Sequence, residues 1–246
     1  DRQRGFFDLS RSSVVANGID LAAWPASPLP EASTVLVPAR LSTQKDPLTM
    51  VEAVSLLRNR GLDLRVDFAG DGELRGAVEA RIRERALEDV IRLFGDVADM
   101  AARYRSARVV ALATHYEGQP LVFLEAMATG RPVVASDVNG NAETLGDAGL
   151  VVPPRDPRAL ADAIERVLLD DALARDLAVR GRARVKKLYT ADRMIDAVAA
   201  VYEECLFERG PMDKKRISKH TETRRSNNSK YFLRASVSPC SENRRP

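Results

Sequence analysis

Short runs rich in β-branched residues alternate with longer segments of helical period, and this alternation restricts the possible folds more than any other feature. Such a pattern favours a parallel sheet with helices packed on both faces. The predicted strands span 13–17, 34–40, 64–70, 90–95, 108–114, 132–136 and 149–153. The predicted helices span 46–60, 72–87, 97–106, 120–129 and 139–146 between strands, then 157–170, 171–187 and 191–206. The sequence therefore predicts one doubly wound α/β domain over 13–206.

Positive charge is concentrated at the C-terminal end of the chain. Residues 207–246 carry 11 Lys or Arg and 4 Asp or Glu, a net of +7, whereas the other 206 residues carry a net of −4. The total of +3 and the pI near 9.0 therefore do not indicate that the body binds nucleic acid. Because apolar periodicity stops after Leu206, we predict that 207–246 is a basic, disordered tail. One hypothesis is that it is a foreign extension, in which case its deletion should preserve folding and activity.

Several classes of protein do not fit the sequence. The two cysteines, Cys205 and Cys240, form no CxxC or Cys/His cluster, so neither a disulfide framework nor a cysteine-based metal site is predicted. No apolar run approaches the roughly 20 residues that span a bilayer, and residues 1–10 lack a signal-peptide core. We expect a cytoplasmic protein, at most peripheral at the inner face of a membrane.

The loop 38–47 carries the first candidate binding residues. Ligands of open parallel sheets bind outside the carboxyl ends of the strands, and here Arg40 ends a predicted strand while Lys45 precedes a predicted helix. Two cations beside a helix N-terminus suit a diphosphate. Two solvated surface cations would explain this segment equally well.

A glycine-rich loop, 68–76, follows the next predicted strand. Its glycines, Gly70, Gly72 and Gly76, do not have the spacing of the dinucleotide fingerprint GxGxxG. The loop therefore predicts a tight strand-to-helix turn and does not support an NAD site.

The segment 114–137 contains two glutamates eight residues apart, Glu117 in a loop and Glu125 in a predicted helix. With its neighbours it resembles the C-terminal half of glycosyltransferase family 4, the glycosyl transferases group 1, whose enzymes have the GT-B fold. The resemblance covers about 13–206. It rests on VVANGID (14–20), VPARLSTQKDPLTMVEAVSLL (37–57), FAGDGELR, IRLFGDV, EGQPLVFLEAMATGRPVVASDVNGNAETLGDAGLVVPPRDPRALADAI (117–164) and YTADRMIDAVAAVYEECL (189–206).

The resemblance implies a Rossmann-like domain that binds a nucleoside-diphosphate sugar. Arg40 and Lys45 would neutralise the diphosphate, and Glu125 would accept hydrogen bonds from the ribose hydroxyls. Glu117 would face the transferred sugar and the distal phosphate. The remaining donor-binding positions would be the backbone of Gly118, Gln119, Pro120 and Leu121 beside Glu117, and Val97 at the border of the base.

The reaction implied is transfer of a hexosyl-type unit with retention at the anomeric carbon, in carbohydrate biosynthesis. The leaving phosphate would help to deprotonate the acceptor hydroxyl, so the two-carboxylate arrangement of glycosidases is not required. The sequence lacks an Asp-x-Asp motif, which suits an enzyme that needs neither a metal nor a cofactor.

The family builds its active site between two domains, whereas only 1–12 precede the first predicted strand and would be a remnant of a linker or N-terminal domain. We therefore expect a donor-binding half that reaches its acceptor, a glycan, lipid or small molecule, through an N-terminal domain that is missing. Two alternatives stay open. The chain could be a non-catalytic nucleotide-sugar-binding module that needs a separate N-terminal half, or its basic tail could bind anionic partners.

Overall fold

The computed structural model describes residues 13–207, which form an α/β structure around one parallel sheet. The strands are ordered β3-β2-β1-β4-β5-β6, and every neighbouring pair is parallel. Their bounds are β1 Thr34–Pro38, β2 Arg65–Ala69, β3 Ile91–Leu93, β4 Val109–Leu112, β5 Val133–Ser136 and β6 Leu150–Val152. The predicted doubly wound fold is confirmed, and the order of its strands is that of a Rossmann domain.

The helices follow the strands in the predicted order. Their bounds are α1 Pro47–Asn59, α2 Arg75–Glu84, α3 Met100–Ser106, α4 Leu121–Ala128, α5 Asn141–Leu145, α6 Pro157–Leu169, α7 Asp171–Leu188 and α8 Ala191–Phe207. No helix among residues 13–207 is long and apolar enough to cross a membrane. The sheet and the helices up to residue 198 form one compact unit, and 199–207 belong to a second. The predicted terminal segments, 1–12 and 208–246, lie outside the described residues.

One predicted strand was wrong. Residues 13–17 form no strand, and the β-pairing of the leading segment, defined as 13–20, is limited to an isolated parallel bridge between Ile19 and Thr190. Val14 is fully exposed, so this β-branched side chain has no sheet face to pack against. A β-branched run favours a strand only where neighbouring strands provide a half-buried surface, and the leading segment has none.

The core explains why the central strands read as continuous apolar runs. Every residue of β1, β4 and β5 is buried, because helices cover both faces of the sheet. The guanidinium of Arg131, which is fully buried, lies beside β5 and donates to the backbone carbonyls of Ala107 (3.1 Å) and Pro28 (2.9 Å). Burial lowers the pKa of Arg131 to about 10, so its guanidinium stays charged at neutral pH.

Local capping sets the ends of two helices as the sequence indicates. Asp46 and Asp156 each precede a proline at the first helical position and accept hydrogen bonds from the backbone of α1 and α6. Gly61, with φ of +82°, follows the end of α1. These caps fix where α1 begins and therefore where the loop before it, which carries Lys45, must end.

Candidate active site

The candidate site lies at the carboxyl edge of the sheet, between β1 and β4. The strand order runs outward from this pair in both directions, so the loops that follow β1 and β4 leave the sheet toward opposite faces. A crevice opens at such a switch point, and it is the usual ligand site of open α/β sheets. The predicted residues of loops 38–47 and 114–120 both lie here.

An ion pair joins the two loops across the crevice. The ammonium of Lys45 donates to Oε1 of Glu117, and both side chains are largely buried, with 15% and 9% of their surface exposed. The hydroxyl of Thr114 lies 3.1 Å from the same carboxylate oxygen. Gln44 ties the backbones together, since its carbonyl accepts from the His115 amide at 2.9 Å. The structure therefore brings Lys45 and Glu117 together, although 72 residues separate them.

Arg40 is placed differently from Lys45. It lies in the loop after β1 and is exposed, and its guanidinium makes no hydrogen bond or ion pair with any residue in 13–207. The loop beneath it is tightly packed, because the Leu41 amide donates to Asp71 O at 3.0 Å and the Gly70 amide donates to Gly95 O at 2.8 Å. Arg40 thus stands on a fixed backbone with its charge directed to solvent.

The loop 68–76 forms a tight turn, as predicted, and the structure shows why it needs glycine. A side chain at Gly70 would overlap the carbonyl oxygen of Ala39, and one at Gly72 would lie 2.8 Å from the Leu41 carbonyl carbon. Two loops of the carboxyl edge therefore meet backbone to backbone.

The start of α4 offers backbone donors. Within the described residues, the amides of Gly118, Gln119 and Leu121 donate to no protein acceptor, and α4 has no side-chain cap. Pro120 has no amide hydrogen, so it shapes this turn without donating. Unpaired amides at a helix N-terminus suit an anion.

Two contacts that the sequence did not reveal hold this turn in place. Gly140, with φ of +84°, lies so close to Gly118 that any side chain at 140 would overlap the Gly118 carbonyl oxygen. Asn17 of the leading segment donates its amide to Gln119 Oε1 (2.6 Å) and its side-chain nitrogen to Gln119 O (3.1 Å). Each contact joins residues distant in the sequence, so no local pattern could have found it.

Glu125 lies on α4, eight residues after Glu117, and its carboxylate has a different hydrogen-bond partner from that of Glu117. The hydroxyl of Tyr104, on α3, donates to its Oε2 at 2.8 Å. Burial raises the pKa of Glu125 above its usual value, and the Tyr104 hydrogen bond opposes that rise. Glu125 and Glu117 therefore occupy different surroundings, one beside a phenol and one beside a cation.

Val97 and its neighbours lie after β3, at the same edge of the sheet. Val97 is half-buried against the core, two residues beyond the Gly95 that contacts Gly70. The guanidinium of Arg103 stacks 3.7 Å from the ring centroid of Phe94. The end of β3 therefore presents a half-buried side chain, Val97, and a stacked cation–aromatic pair at the carboxyl edge, with β2 and β1 between β3 and the switch point.

The site can combine three kinds of recognition at one edge of the sheet. It holds cations and unpaired amides for an anion, a carboxylate beside an amine, and a second carboxylate held by a phenol. No group of three or more His, Cys, Asp or Glu within 13–207 could hold a metal ion. This set matches what a phosphorylated ligand with vicinal hydroxyls requires.

Comparison with known proteins agrees with this fold. The chain is 32% identical over 180 residues to the alpha-D-kanosaminyltransferase of Streptomyces kanamyceticus, covering 72% of this chain and 47% of that protein. It is similar to the structure of sucrose-phosphate synthase from Thermosynechococcus elongatus, with a TM-score of 0.70, 28% identity and coverage of 80% and 53%. The fold also matches that of HepE from Anabaena, solved with UDP and glucose, with a TM-score of 0.72, 20% identity and coverage of 78% and 56%.

The fold is that of the GT-B glycosyltransferases, and the chain spans about half the length of the curated relatives it matches. The family model for glycosyl transferases group 1 matches residues 32–170, more than half of the chain. That match includes the loop with Arg40 and Lys45, the Glu117 turn and Glu125. The chain belongs to the glycosyl transferases group 1 family.

Proposed function

We propose that this chain is the donor-binding half of a retaining, hexosyl-type glycosyltransferase of family 4, corresponding to the C-terminal domain of the GT-B fold. The observation that carries the proposal is the buried Lys45–Glu117 ion pair at the switch point, beside the unpaired amides at the start of α4. A cation held by a carboxylate at this place suits a ligand that combines a diphosphate with a sugar.

Lys45 can hold Glu117 and a phosphate at the same time. An ammonium has three donors, and only the bond to Glu117 is formed within the described residues. Arg40, whose guanidinium has no partner among residues 13–207, would add a second positive charge beside the diphosphate. The amides of Gly118, Gln119 and Leu121 would supply further donors, so the negative charge that develops on the departing diphosphate would be stabilised.

Glu125 and Glu117 would contact the two sugars of the donor. Glu125, as a carboxylate, would accept hydrogen bonds from the ribose hydroxyls, and the strand end at Val97 would border the base. Glu117 would face the transferred hexose. In this arrangement the leaving phosphate takes the proton of the acceptor hydroxyl on the same face of the sugar, which gives retention without a carboxylate nucleophile.

The acceptor is proposed to bind elsewhere. Because the chain spans about half the length of its curated relatives, we expect a glycan, lipid or small-molecule acceptor to be held by a separate N-terminal domain. We expect the isolated chain to bind a nucleoside diphosphate with little or no turnover. Robust glycosyl transfer by this chain alone would contradict the assignment of acceptor binding to another domain. If the chain binds nucleotide but shows no turnover after an N-terminal half is added, a non-catalytic module is favoured.

Titration calorimetry of the full 246-residue chain with UDP, GDP and ADP tests the proposal. Replacing Arg40 or Glu125 with alanine should weaken binding roughly 10- to 100-fold, because each change removes hydrogen bonds that involve a charged group. Arg83→Ala is the matched control, since Arg83 is also exposed and has no side-chain partner within 13–207. Failure of the wild-type chain to bind any of the three nucleotides would refute the proposal.

The proposed donor site uses no metal ion. Nucleotide binding should therefore be unchanged by EDTA.

We propose a cytoplasmic protein that can contact the inner face of a membrane through α7, where Val179 is 70% exposed and Lys186 and Lys187 lie in the last turn. Salt-sensitive binding to anionic liposomes, lost in a Lys186→Glu, Lys187→Glu variant, would support that contact.

A further inference from the structure

Tyr104 is a buried aromatic residue with its polar end aimed at the candidate site. It lies on α3 and has no exposed surface, and its ring meets the ring of Trp24 edge to face with centroids 5.6 Å apart. The packing leaves the ring little freedom, so the position of its hydroxyl is set by the core.

The hydroxyl of Tyr104 has one good acceptor. Glu125 Oε2 lies 2.8 Å away, whereas the only other acceptor within hydrogen-bond distance among residues 13–207, Val122 O, lies at 3.4 Å. A hydroxyl has one hydrogen to donate, and the shorter bond to a carboxylate is the stronger. Tyr104 is also the only residue within 13–207 that donates to the Glu125 carboxylate.

This bond divides the two oxygens of Glu125 between protein and ligand. Oε2 is held by Tyr104, and Oε1 makes no hydrogen bond within the described residues. Burial raises the pKa of Glu125 and the Tyr104 bond lowers it, and no charged side chain of the described residues contributes. Burial and the carboxylate together raise the pKa of Tyr104 well above its usual value, so the phenol keeps its proton and remains a donor.

We propose that Tyr104 is a positioning residue for nucleotide recognition, which holds Glu125 Oε2 so that Oε1 faces the ribose hydroxyls. The proposal rests on the proposed function, because it needs a nucleoside diphosphate in the site. It goes beyond that function by assigning a role to a buried residue on α3 that touches no ligand.

The test is Tyr104→Phe in the full-length chain. The change keeps the ring and its contact with Trp24 and removes only the hydroxyl. Affinity for the nucleoside diphosphate that the wild type binds should fall roughly 3- to 10-fold. The acid limb of binding should move to higher pH, because without the donor Glu125 takes up its proton at a higher pH. Affinity for inorganic pyrophosphate, which reaches Arg40 and Lys45 but has no ribose, should not change.

Three controls separate positioning from a structural effect. Tyr202→Phe removes a hydroxyl from an exposed tyrosine and should leave affinity unchanged. In a Glu125→Gln background, adding Tyr104→Phe should lower affinity by less than twofold and leave the pH profile unmoved, since the two residues act as one unit. Circular dichroism and thermal melting of Tyr104→Phe test whether this variant is folded.

The outcomes distinguish this inference from the function on which it rests. Wild-type protein that binds no nucleoside diphosphate refutes both. Wild-type binding with an unchanged affinity and acid limb in folded Tyr104→Phe refutes the inference alone. Equal loss of pyrophosphate and nucleotide binding would show a general distortion of the site and would also overturn it. An unfolded Tyr104→Phe chain would mean that the hydroxyl serves stability, which contradicts a positioning role.

Discussion

Replacing Gly140 with alanine should cost both stability and nucleotide affinity. Gly140 has φ of +84°, and an added Cβ would overlap the carbonyl oxygen of Gly118 and lie 2.6 Å from its carbonyl carbon. The left-handed backbone costs an alanine about 1–2 kcal/mol. Forcing two backbones apart should add about 1–3 kcal/mol, as for other overpacked sites. The free energy of unfolding should therefore fall by about 2–5 kcal/mol.

Gly61→Ala provides a control with the same backbone conformation. Gly61 has φ of +82°, but an added Cβ there meets nothing within 4 Å. Its cost should be only the conformational part, about 1–2 kcal/mol. The difference between the two variants thus measures the contact between Gly140 and Gly118.

Equilibrium urea unfolding measures the free energy of unfolding of both variants. Calorimetric titration with a nucleoside diphosphate measures their affinity for the nucleotide. Gly140→Ala should bind more weakly than Gly61→Ala, because moving Gly118 displaces the amides at the start of α4. If the free energies of unfolding of the two variants differ by less than about 0.5 kcal/mol, the range of ordinary surface substitutions, the contact between Gly140 and Gly118 does not constrain the fold. That result would refute the prediction.

Three further changes test other parts of the structure. Asp156→Ala removes the side-chain acceptor for the amides of Arg158 and Ala159 and should lower the free energy of unfolding by about 1 kcal/mol in urea titration, whereas Asp156→Asn should largely preserve it. Arg131→Met leaves several buried carbonyls without donors and should cost about 2–5 kcal/mol in the same assay; a cost below about 1 kcal/mol would contradict their dependence on this side chain. Because burial raises the pKa of Glu125, the folded chain binds more protons than the unfolded chain between pH 4.5 and that raised pKa, so stability falls as pH rises through this window. Urea unfolding from pH 4 to 7 should show that decline in the wild type relative to Glu125→Gln, and parallel curves would refute it.

Much of the fold could be predicted because its signals are local. The buried strands are continuous apolar runs, and the Asp-Pro pairs at 46–47 and 156–157 mark the first residues of α1 and α6. The false strand at 13–17 shows the limit of this reasoning. Its residues have strand-like composition, but whether a run joins a sheet depends on a partner, and the sheet already ends at β3 and β6.

The site was only partly accessible to sequence reasoning. The loops with Arg40, Lys45, Glu117 and Glu125 could be placed at one edge, because the carboxyl ends of parallel strands lie together. The contacts between their side chains could not, since the Lys45–Glu117 pair joins residues 72 apart. Tyr104 carried no polar signal, because in a helical pattern a buried tyrosine looks like any other core residue.

The leading segment connects the start of α8 to the turn before α4 through hydrogen bonds. Ile19 donates to Tyr189 O and accepts from the Ala191 amide, both at 2.9 Å, so the first turn of α8 acts as a fixed support. Two residues earlier in the chain, Asn17 donates hydrogen bonds to Gln119 from both its backbone amide and its side chain. Two bonds resist rotation as well as translation, so a displacement of the chain at Asn17 would tilt the peptide beside Gly118. The segment that was wrongly predicted as a strand therefore anchors the backbone before α4 to the start of α8.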